Sequence, residues 1–474
     1  IQHTPQNLAQ VTIRGLGTGS GGESLDQSVG LFIDGIWAGR IREFQTALFD
    51  LERVEVIKGT QTTLLGKNTS LGAVNVISRR PGDTLSGYLQ ADYEIEFDSA
   101  YATGAVDIPS RFGNYRLAFN AADEAGYVDN ETTGNEVPER DQTTLRIGAA
   151  WEIGAVGDLL LMYQWDDLEI RGDTFQPDQD KLGFMAQMDP TADIGIDQVK
   201  NAWTSYGPSG DAHDEQESQR AILQYEQEFG LHLFTSLTGW SEYENDRLTD
   251  SDFLSVDYLT TVYQSDYDQF SQEFRLASPG GERLDYIVGM YYLDGTLDYV
   301  GLTDTSFPWP ELPSPLPLDS TSELSYRQDT EVWSLFGQGT LNFGYKWRLT
   351  LGLRYTDEEK DALFGRERLR SGGPLADVIA DVLAPEVDPT PLNRKEDNLD
   401  GSVNIQYDVN DALMAFFSWA TGSKSGGFSV DVALPEEAEY ETEEAETVEL
   451  GIKSEWAGGA ALLNASLFYT EIDD

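Results

Sequence analysis

Residues able to do covalent or metal chemistry are scarce in this chain. Its 474 residues include no cysteine and three histidines, His3, His213 and His232. That excludes thiolate zinc sites, cysteine nucleophiles and disulfide scaffolds, and leaves too little imidazole for a histidine metal centre. Gly17-Thr-Gly19-Ser-Gly-Gly22 has the GxGxxG spacing of a dinucleotide fingerprint, but that fingerprint needs a helix behind it to receive the pyrophosphate. Residues 23–30 have no helical apolar period, so the stretch reads as a glycine-rich loop whose backbone can approach a ligand. Gly66-Lys67 is no phosphate loop either, because Gln61 and Asn68 stand where a glycine and a hydroxyl are required. Acidic residues are too abundant for any pair to be singled out as glycosidase carboxylates, and no Ser/His/Asp grouping emerges. The reading is therefore not an enzyme, with no catalytic residue, no metal and no cofactor.

Charge and hydropathy narrow the class further. Eighty-three acidic residues against 31 basic ones give a formal charge of -52, which repels nucleic acid. The acidity has two readings: solubility of exposed loops, or focusing of cationic ligands and divalent ions. Hydrophobic residues make up 40% of the chain, enough to exclude disorder. No run of about 18 apolar residues occurs, so a membrane helix is excluded and a membrane barrel is not. The chain opens at Ile1 without a leader-like segment and is expected to begin inside a domain. Absence of cysteine suits an oxidising compartment.

The elements that must position any site are strands. From about residue 85, segments of 10 to 15 residues alternate at period two. Across 347–355, Trp347, Leu349, Leu351, Leu353 and Tyr355 share one face, while Arg348, Thr350, Gly352 and Arg354 share the other. Leu145 and Ile147 alternate with Arg146 and Gly148, and Val448, Leu450 and Ile452 alternate with Glu449, Gly451 and Lys453. Connection lengths separate a membrane barrel from a soluble sandwich. Tight connections are expected near 109–114, 153–157, 229–231, 278–283, 344–346, 409–411 and 457–459. Long ones are expected near 124–139, 171–216, 246–261, 299–323, 361–395 and 425–443. Such sorting suits a barrel whose strands cross the bilayer in antiparallel pairs, with one rim specialised for recognition. Trp151, Trp347, Tyr355, Trp456 and Tyr469, at strand ends, would form the interfacial girdles. The strands number roughly fifteen, an odd count for a bacterial barrel, so more are expected after Asp474.

Residues 11–84 read as short strands, glycine-rich loops and one short helix, a mixed α+β unit. Three pieces within it, VTIRG (11–15), VGLFIDGIWAGR (29–40) and LFDLERVEVIKGTQTTLLGKNTSLGAVNVISRRP (48–81), resemble in order and spacing the plug of TonB-dependent outer-membrane receptors. Fainter similarity runs through SQEFRLAS (271–278), LGLRYTDEEK (351–360), SWATGSKSGGF (418–428) and TVELGIKSEW (447–456). Thr60 and Thr62 stand where such receptors usually carry Pro and Gly, which alters local loop shape.

The resemblance implies an all-β transmembrane antiparallel barrel with a small α+β plug domain inside the lumen. Residues 1–84 would be the C-terminal part of the plug domain, and 85–474 the first fifteen or so of about 22 strands. Signal peptide, TonB box and the start of the plug would precede Ile1. It implies TonB-driven import across the outer membrane of a Gram-negative bacterium, by default of a ferric siderophore, with cobalamin or an oligosaccharide as alternatives. The implied partners are TonB, outer-membrane lipid and lipopolysaccharide, and a small iron chelate; nucleic acid is not among them, and the protein is expected to be monomeric. A passive porin or adhesin, or a secreted β-sheet hydrolase or lectin, remain the rival classes.

Within that frame the expected ligand contacts are Trp37, Arg40 and Arg42 at the plug apex, with Phe307 and Trp309 in an outer loop. The two arginines would supply a local positive site if the ligand is anionic. Arg14, Arg53 and Lys58 are the expected plug cations for buried contacts with Glu273 and Glu449, which strand parity turns to the lumen. A short helix is expected near 374–384, with no role assigned.

Overall fold

Alternation of side chains organises most of the molecule. A computed structural model describes residues 2–3, 9–18, 22–130, 132–172, 180–181, 183, 200–201, 212–252, 254, 258–306 and 319–473. Four strands near the N-terminus, β1 (Val29–Ile33), β2 (Ile36–Trp37), β3 (Leu51–Lys58) and β4 (Gly72–Ser78), form one sheet in the order β2-β1-β4-β3. β1 runs parallel to β4, and the other pairs are antiparallel. All five residues of β1 are buried, which explains its unbroken apolar run VGLFI. Asp34 and Gly35 both take positive φ, 53° and 86°, giving the two-residue turn that closes a hairpin. Val29, Leu31, Ile33, Phe44, Val74 and Val76 share the core of this unit. A one-turn helix α1 (Thr62–Leu65) and a 3-10 turn (Ile41–Phe44) complete it.

Fifteen strands then follow in a single antiparallel meander in which every strand pairs only with its neighbours in sequence. They are β5 (Ser86–Glu94), β6 (Ser99–Ser110), β7 (Gly113–Glu124), β8 (Glu139–Ile153), β9 (Gly157–Arg171), β10 (His213–Phe229), β11 (His232–Asp250) and β12 (Leu259–Ala277). The series continues through β13 (Leu284–Thr305), β14 (Ser320–Phe343), β15 (Trp347–Ser371), β16 (Val387–Asn410), β17 (Leu413–Lys424), β18 (Glu443–Trp456) and β19 (Ala461–Asp473). The sheet curls round the plug unit. Plug residues hydrogen-bond to Arg116 on β7, Gln164 on β9, Asp214 on β10, Gln269 on β12, Glu358 on β15, Ser402 on β16 and Glu449 on β18.

Along these strands the usual burial rule is inverted. Leu145, Ile147, Leu351, Leu353 and Leu450 are exposed, whereas Arg146, Arg354, Glu358 and Lys360 are buried. Apolar residues face out because their solvent is lipid, and polar residues face the plugged lumen. Among the described residues no helix is long and apolar enough to cross a membrane. At the tight-turn rim, Trp347 stacks on Phe343, with ring centroids 6.1 Å apart, and lies 4.5 Å from Tyr407, as an interfacial girdle does.

The tight connections fall where the sequence placed them. Three of the six long ones are shorter than expected, because the strands run on. β14, β15 and β16 contain 24, 25 and 24 residues, against the roughly 10 that cross a bilayer. The connections expected at 246–261, 299–323 and 361–395 shrink to 251–258, 306–319 and 372–386. Their strand portions escaped detection because outward positions there, such as Asp304, Ser325, Arg327 and Asp361, are polar and exposed, so no lipid-facing apolar series marks them. A ten-residue helix α2 (Pro374–Leu383) crosses the last of these connections.

Candidate functional site

The plug is seated by charges from residues far apart in sequence. Asp26 Oδ2 lies 3.1 Å from Lys67 Nζ and 2.9 Å from Lys360 Nζ. Glu358 bonds Lys67 and lies 3.2 Å from Lys360. Two plug charges and two β15 charges thus alternate in sign around a square, all of them buried. Arg40 Nη1 stands 3.7 Å from Asp26 and donates to the Ser24 carbonyl at 3.0 Å. Burial opposes the Asp26 carboxylate, but the charges of Lys360, Lys67 and Arg40 outweigh it and hold its pKa well below the ordinary range. Such a cluster is stable only when each member is satisfied.

A second cluster lies on the adjoining barrel wall. Arg42, fully buried, reaches Glu23 at 2.6 Å and Asp214 of β10 at 3.1 Å. Burial again opposes the Glu23 carboxylate, and Arg42 and Arg247 overcome it, so its pKa is lowered. Further round the wall Arg116 of β7 grips Asp50 of the plug with Nη2 at 2.6 Å and Nε at 2.8 Å, and reaches Asp107 at 2.7 Å. Arg14 meets Glu449 of β18 at 2.8 Å, with its guanidinium 3.7 Å over the Phe468 ring. Fit is also steric: a Cβ on Gly39 would lie 1.9 Å from the Tyr267 hydroxyl oxygen, so only glycine lets the plug approach that wall.

The residues picked from sequence are distributed unevenly over this interface. Arg14 and Glu449 are brought together. Arg53 is not brought to the barrel. It pairs with Glu52 at 2.5 Å and Glu55 at 2.7 Å on β3 itself and is half exposed, because β3 is the edge strand of the plug sheet. Lys58 is exposed at the end of the same strand. Glu273 is bonded by Arg275, two residues along β12, rather than by a plug cation. Trp37, Arg40 and Arg42 are buried, and both arginines carry carboxylates. Arg42 ties the plug to Asp214 on the wall, and Arg40 is paired within the plug to Asp26, so neither presents an unpaired positive charge. Phe307 and Trp309 lie outside the described residues.

The partners that sequence reasoning missed are Glu23, Asp26, Lys67, Asp214, Glu358 and Lys360. Strand parity could have found two of them. Glu358 and Lys360 continue the inward series Arg348, Thr350, Gly352, Arg354, but the charge-rich run around them reads as the start of a loop. Nothing in the local sequence of Asp26 or Asp214 announces a partner.

Above the plug, on the long-loop side, is a cavity of about 410 Å³ bounded by strand ends at Thr305 and Ser320 and by the Ala376 and Ala380 face of α2. Tyr263 and Tyr299 line it, with ring centroids 5.9 Å apart. Arg366 also lines it, donating to the Val432 and Ala433 carbonyls at 2.9 and 2.6 Å. Asp431 exposes its carboxylate there. Its floor is an apolar layer containing Tyr243, Tyr267, Tyr326, Phe364, Phe428 and Val430. Such a vestibule, with tyrosine walls, scattered polar groups and an apolar layer beneath it, is suited to capture of a ligand.

A plug seated by ion pairs within a lipid-facing antiparallel sheet defines the plugged outer-membrane barrel class. The chain belongs to the TonB-dependent receptors: residues 1–73 match the TonB-dependent Receptor Plug Domain, and 163–474 match the family described as TonB dependent receptor-like, beta-barrel. Members of that family are transport receptors of the Gram-negative outer membrane; they bind siderophores and engage TonB. The chain is 22% identical over 482 residues to the pesticin receptors of Yersinia enterocolitica and Yersinia pestis, covering 99% of this chain and 63% of theirs. It therefore spans a little under two thirds of the length of these curated relatives. Its fold is similar to that of the ferric yersiniabactin uptake receptor FyuA from Yersinia pestis, with a TM-score of 0.81 at 17% identity over 98% of this chain and 66% of that one. The siderophore receptor PiuA from Acinetobacter baumannii is similar at a TM-score of 0.71 and 17% identity, over 96% and 67%.

Proposed function

We propose that the whole protein is a monomeric outer-membrane receptor that imports a ferric siderophore with energy delivered by TonB, residues 1–84 acting as plug and 85–474 as barrel wall. The observation that carries this is the closed path. The vestibule ends on the aromatic floor, and below it the plug is bonded to strands from β7 to β18. In a completed barrel a plug held by so many strands would block passive flow, so passage would require the plug to be remodelled by work from elsewhere. TonB would supply that work by pairing with an N-terminal segment as an added strand. The structurally similar ferric yersiniabactin uptake receptor and siderophore receptor support the same reading.

The described vestibule also favours one kind of chelate. Its arginine is tied to carbonyls, its exposed ion is a carboxylate, and the chain carries a charge of -52. Neutral or cationic ferric chelates bearing aromatic or apolar groups fit these walls better than polyanionic ones. The test is uptake of radioactive ferric chelates of graded charge into cells lacking other receptors, with and without active TonB. Uptake that needs TonB and declines as the chelate becomes more negative is expected. Uptake persisting without TonB would mark a passive pore, and preference for a polyanionic chelate would sink the charge argument.

A further inference from the structure

A second, smaller cavity of about 110 Å³ is enclosed between plug and barrel on the tight-turn side of the charge square. The plug contributes Phe32, Gly35, Trp37, Leu65, Lys67 and Asn75 to it, and the barrel contributes Glu273, Arg275, Tyr291 and Arg354. Arg354 is the member that demands explanation. It is 2% exposed, and among the described residues its Nε and Nη1 have no hydrogen-bond acceptor. Its guanidinium lies 5.0 Å from the Phe336 ring centroid and 5.7 Å from that of Tyr291. A Cβ on Gly66 would stand 2.6 Å from its Cζ. Glycine at that plug position therefore makes room for the guanidinium head.

The other charges at the cavity are already committed. Lys67 is held by Asp26 and Glu358, and Glu273 by Arg275. Asp400, the register partner of Arg354 across β15 and β16, accepts from the Ser423 hydroxyl at 3.0 Å. Asp400 is the nearby carboxylate that acts on Arg354, yet among the described residues it is not an acceptor for Nε or Nη1. Buried guanidinium N–H donors without an acceptor carry a desolvation cost, which an anion at hydrogen-bond distance offsets.

We propose that this cavity is a small-anion site, holding a halide-sized monoanion against Arg354 between barrel and plug. Size sets the class: at about 30 Å³ per water, the cavity admits one such ion with a little water and no chelate. The ion would meet Arg354 Nε and Nη1 on the barrel side, with the Tyr291 hydroxyl on the same wall. Lys67 and the end of α1 would close the site from the plug side. The occupant would then add to the forces that seat the plug.

The experiment uses the full-length receptor in detergent. Crystals soaked in bromide are expected to show an anomalous peak at about 3.3 Å from the Arg354 guanidinium nitrogens. Exchanging gluconate for chloride or bromide is expected to raise the melting temperature of the wild type and of Arg354→Lys. The melting temperature of Arg354→Gln should not respond to the exchange. Formate in place of halide reveals whether a small carboxylate occupies the same place. Density for water alone, Arg354 turned to pair with Asp400, or melting temperatures that ignore the anion in the wild type would each overturn the site.

Discussion

The two faces of strand β15 live in different solvents. Outward, Leu351, Leu353 and Tyr355 are 51%, 55% and 43% exposed; inward, Arg354, Thr356, Glu358 and Lys360 are 2%, 7%, 1% and 2% exposed. A soluble sheet would bury the first set and wet the second. Here lipid takes the place of water outside, and the plug takes the place of a hydrophobic core inside. Specificity follows from that exchange. The lipid face tolerates any apolar residue, because hydrocarbon has no shape to match. The lumen face must meet the plug charge for charge, because an unmatched ion there has no solvent to rescue it.

Breaking the charge square tests the lumen side most severely. Asp26→Asn leaves Lys67, Lys360 and Arg40 facing the single carboxylate of Glu358. A loss of about 3–5 kcal/mol is expected in thermal or urea unfolding of the purified receptor, with the plug the first part to become protease-sensitive. Lys360→Met combined with Asp26→Asn should recover part of that loss, since both members of one pair are then gone; an additive loss would contradict the pairing.

The same change carries a pH signature. The Asp26 pKa is depressed in the folded protein, so its contribution is complete above the ordinary aspartate value of about 3.9 and is lost as pH falls through the lower folded value. Wild-type stability should therefore fall on acidification below about pH 4, and the fall should be smaller in Asp26→Asn. Equal acid limbs in the two proteins would remove Asp26 from the account.

The lipid face is probed by Leu353→Arg. Six residues along a tilted strand put Leu353 roughly 15 Å above the Trp347 rim, near the middle of the bilayer. The expected cost is about 2–4 kcal/mol, measured by refolding into lipid vesicles, whereas Leu353→Phe should be tolerated. Arg53 offers the smallest effect. Its partners Glu52 and Glu55 are neighbours on β3 and all three are solvated, so Arg53→Ala should leave unfolding and uptake unchanged within error. A marked loss would show that β3 carries a charge contact to the barrel after all.

Sequence reading went furthest where a repeating pattern had one physical cause. Leu349, Leu351 and Leu353 alternate because every second residue meets lipid, and that gave strand count, turn sides and facing. It weakened where strands such as β14 to β16 rise clear of the bilayer, since outward positions there, such as Arg327 and Asp361, meet water and no longer carry the apolar series that lipid imposes. The choice of Arg40 and Arg42 as ligand contacts shows a second limit. An arginine near an apex reads the same whether it is open to a ligand or buried against Asp26 or Asp214.

By itself, then, the sequence determined the class of solvent on each strand face, the meander and the plug-like motifs, because these depend on residue type and local period alone. Only the tertiary structure decided which charges meet. Asp26 and Lys360 are 334 residues apart in the chain and 2.9 Å apart in space, and Arg354 lies beside Gly66 with no acceptor among the described residues for two of its nitrogens. Those pairings are set by how a curved sheet wraps its plug, and a buried charge is felt only by the groups that the wrapping brings within a few ångströms of it.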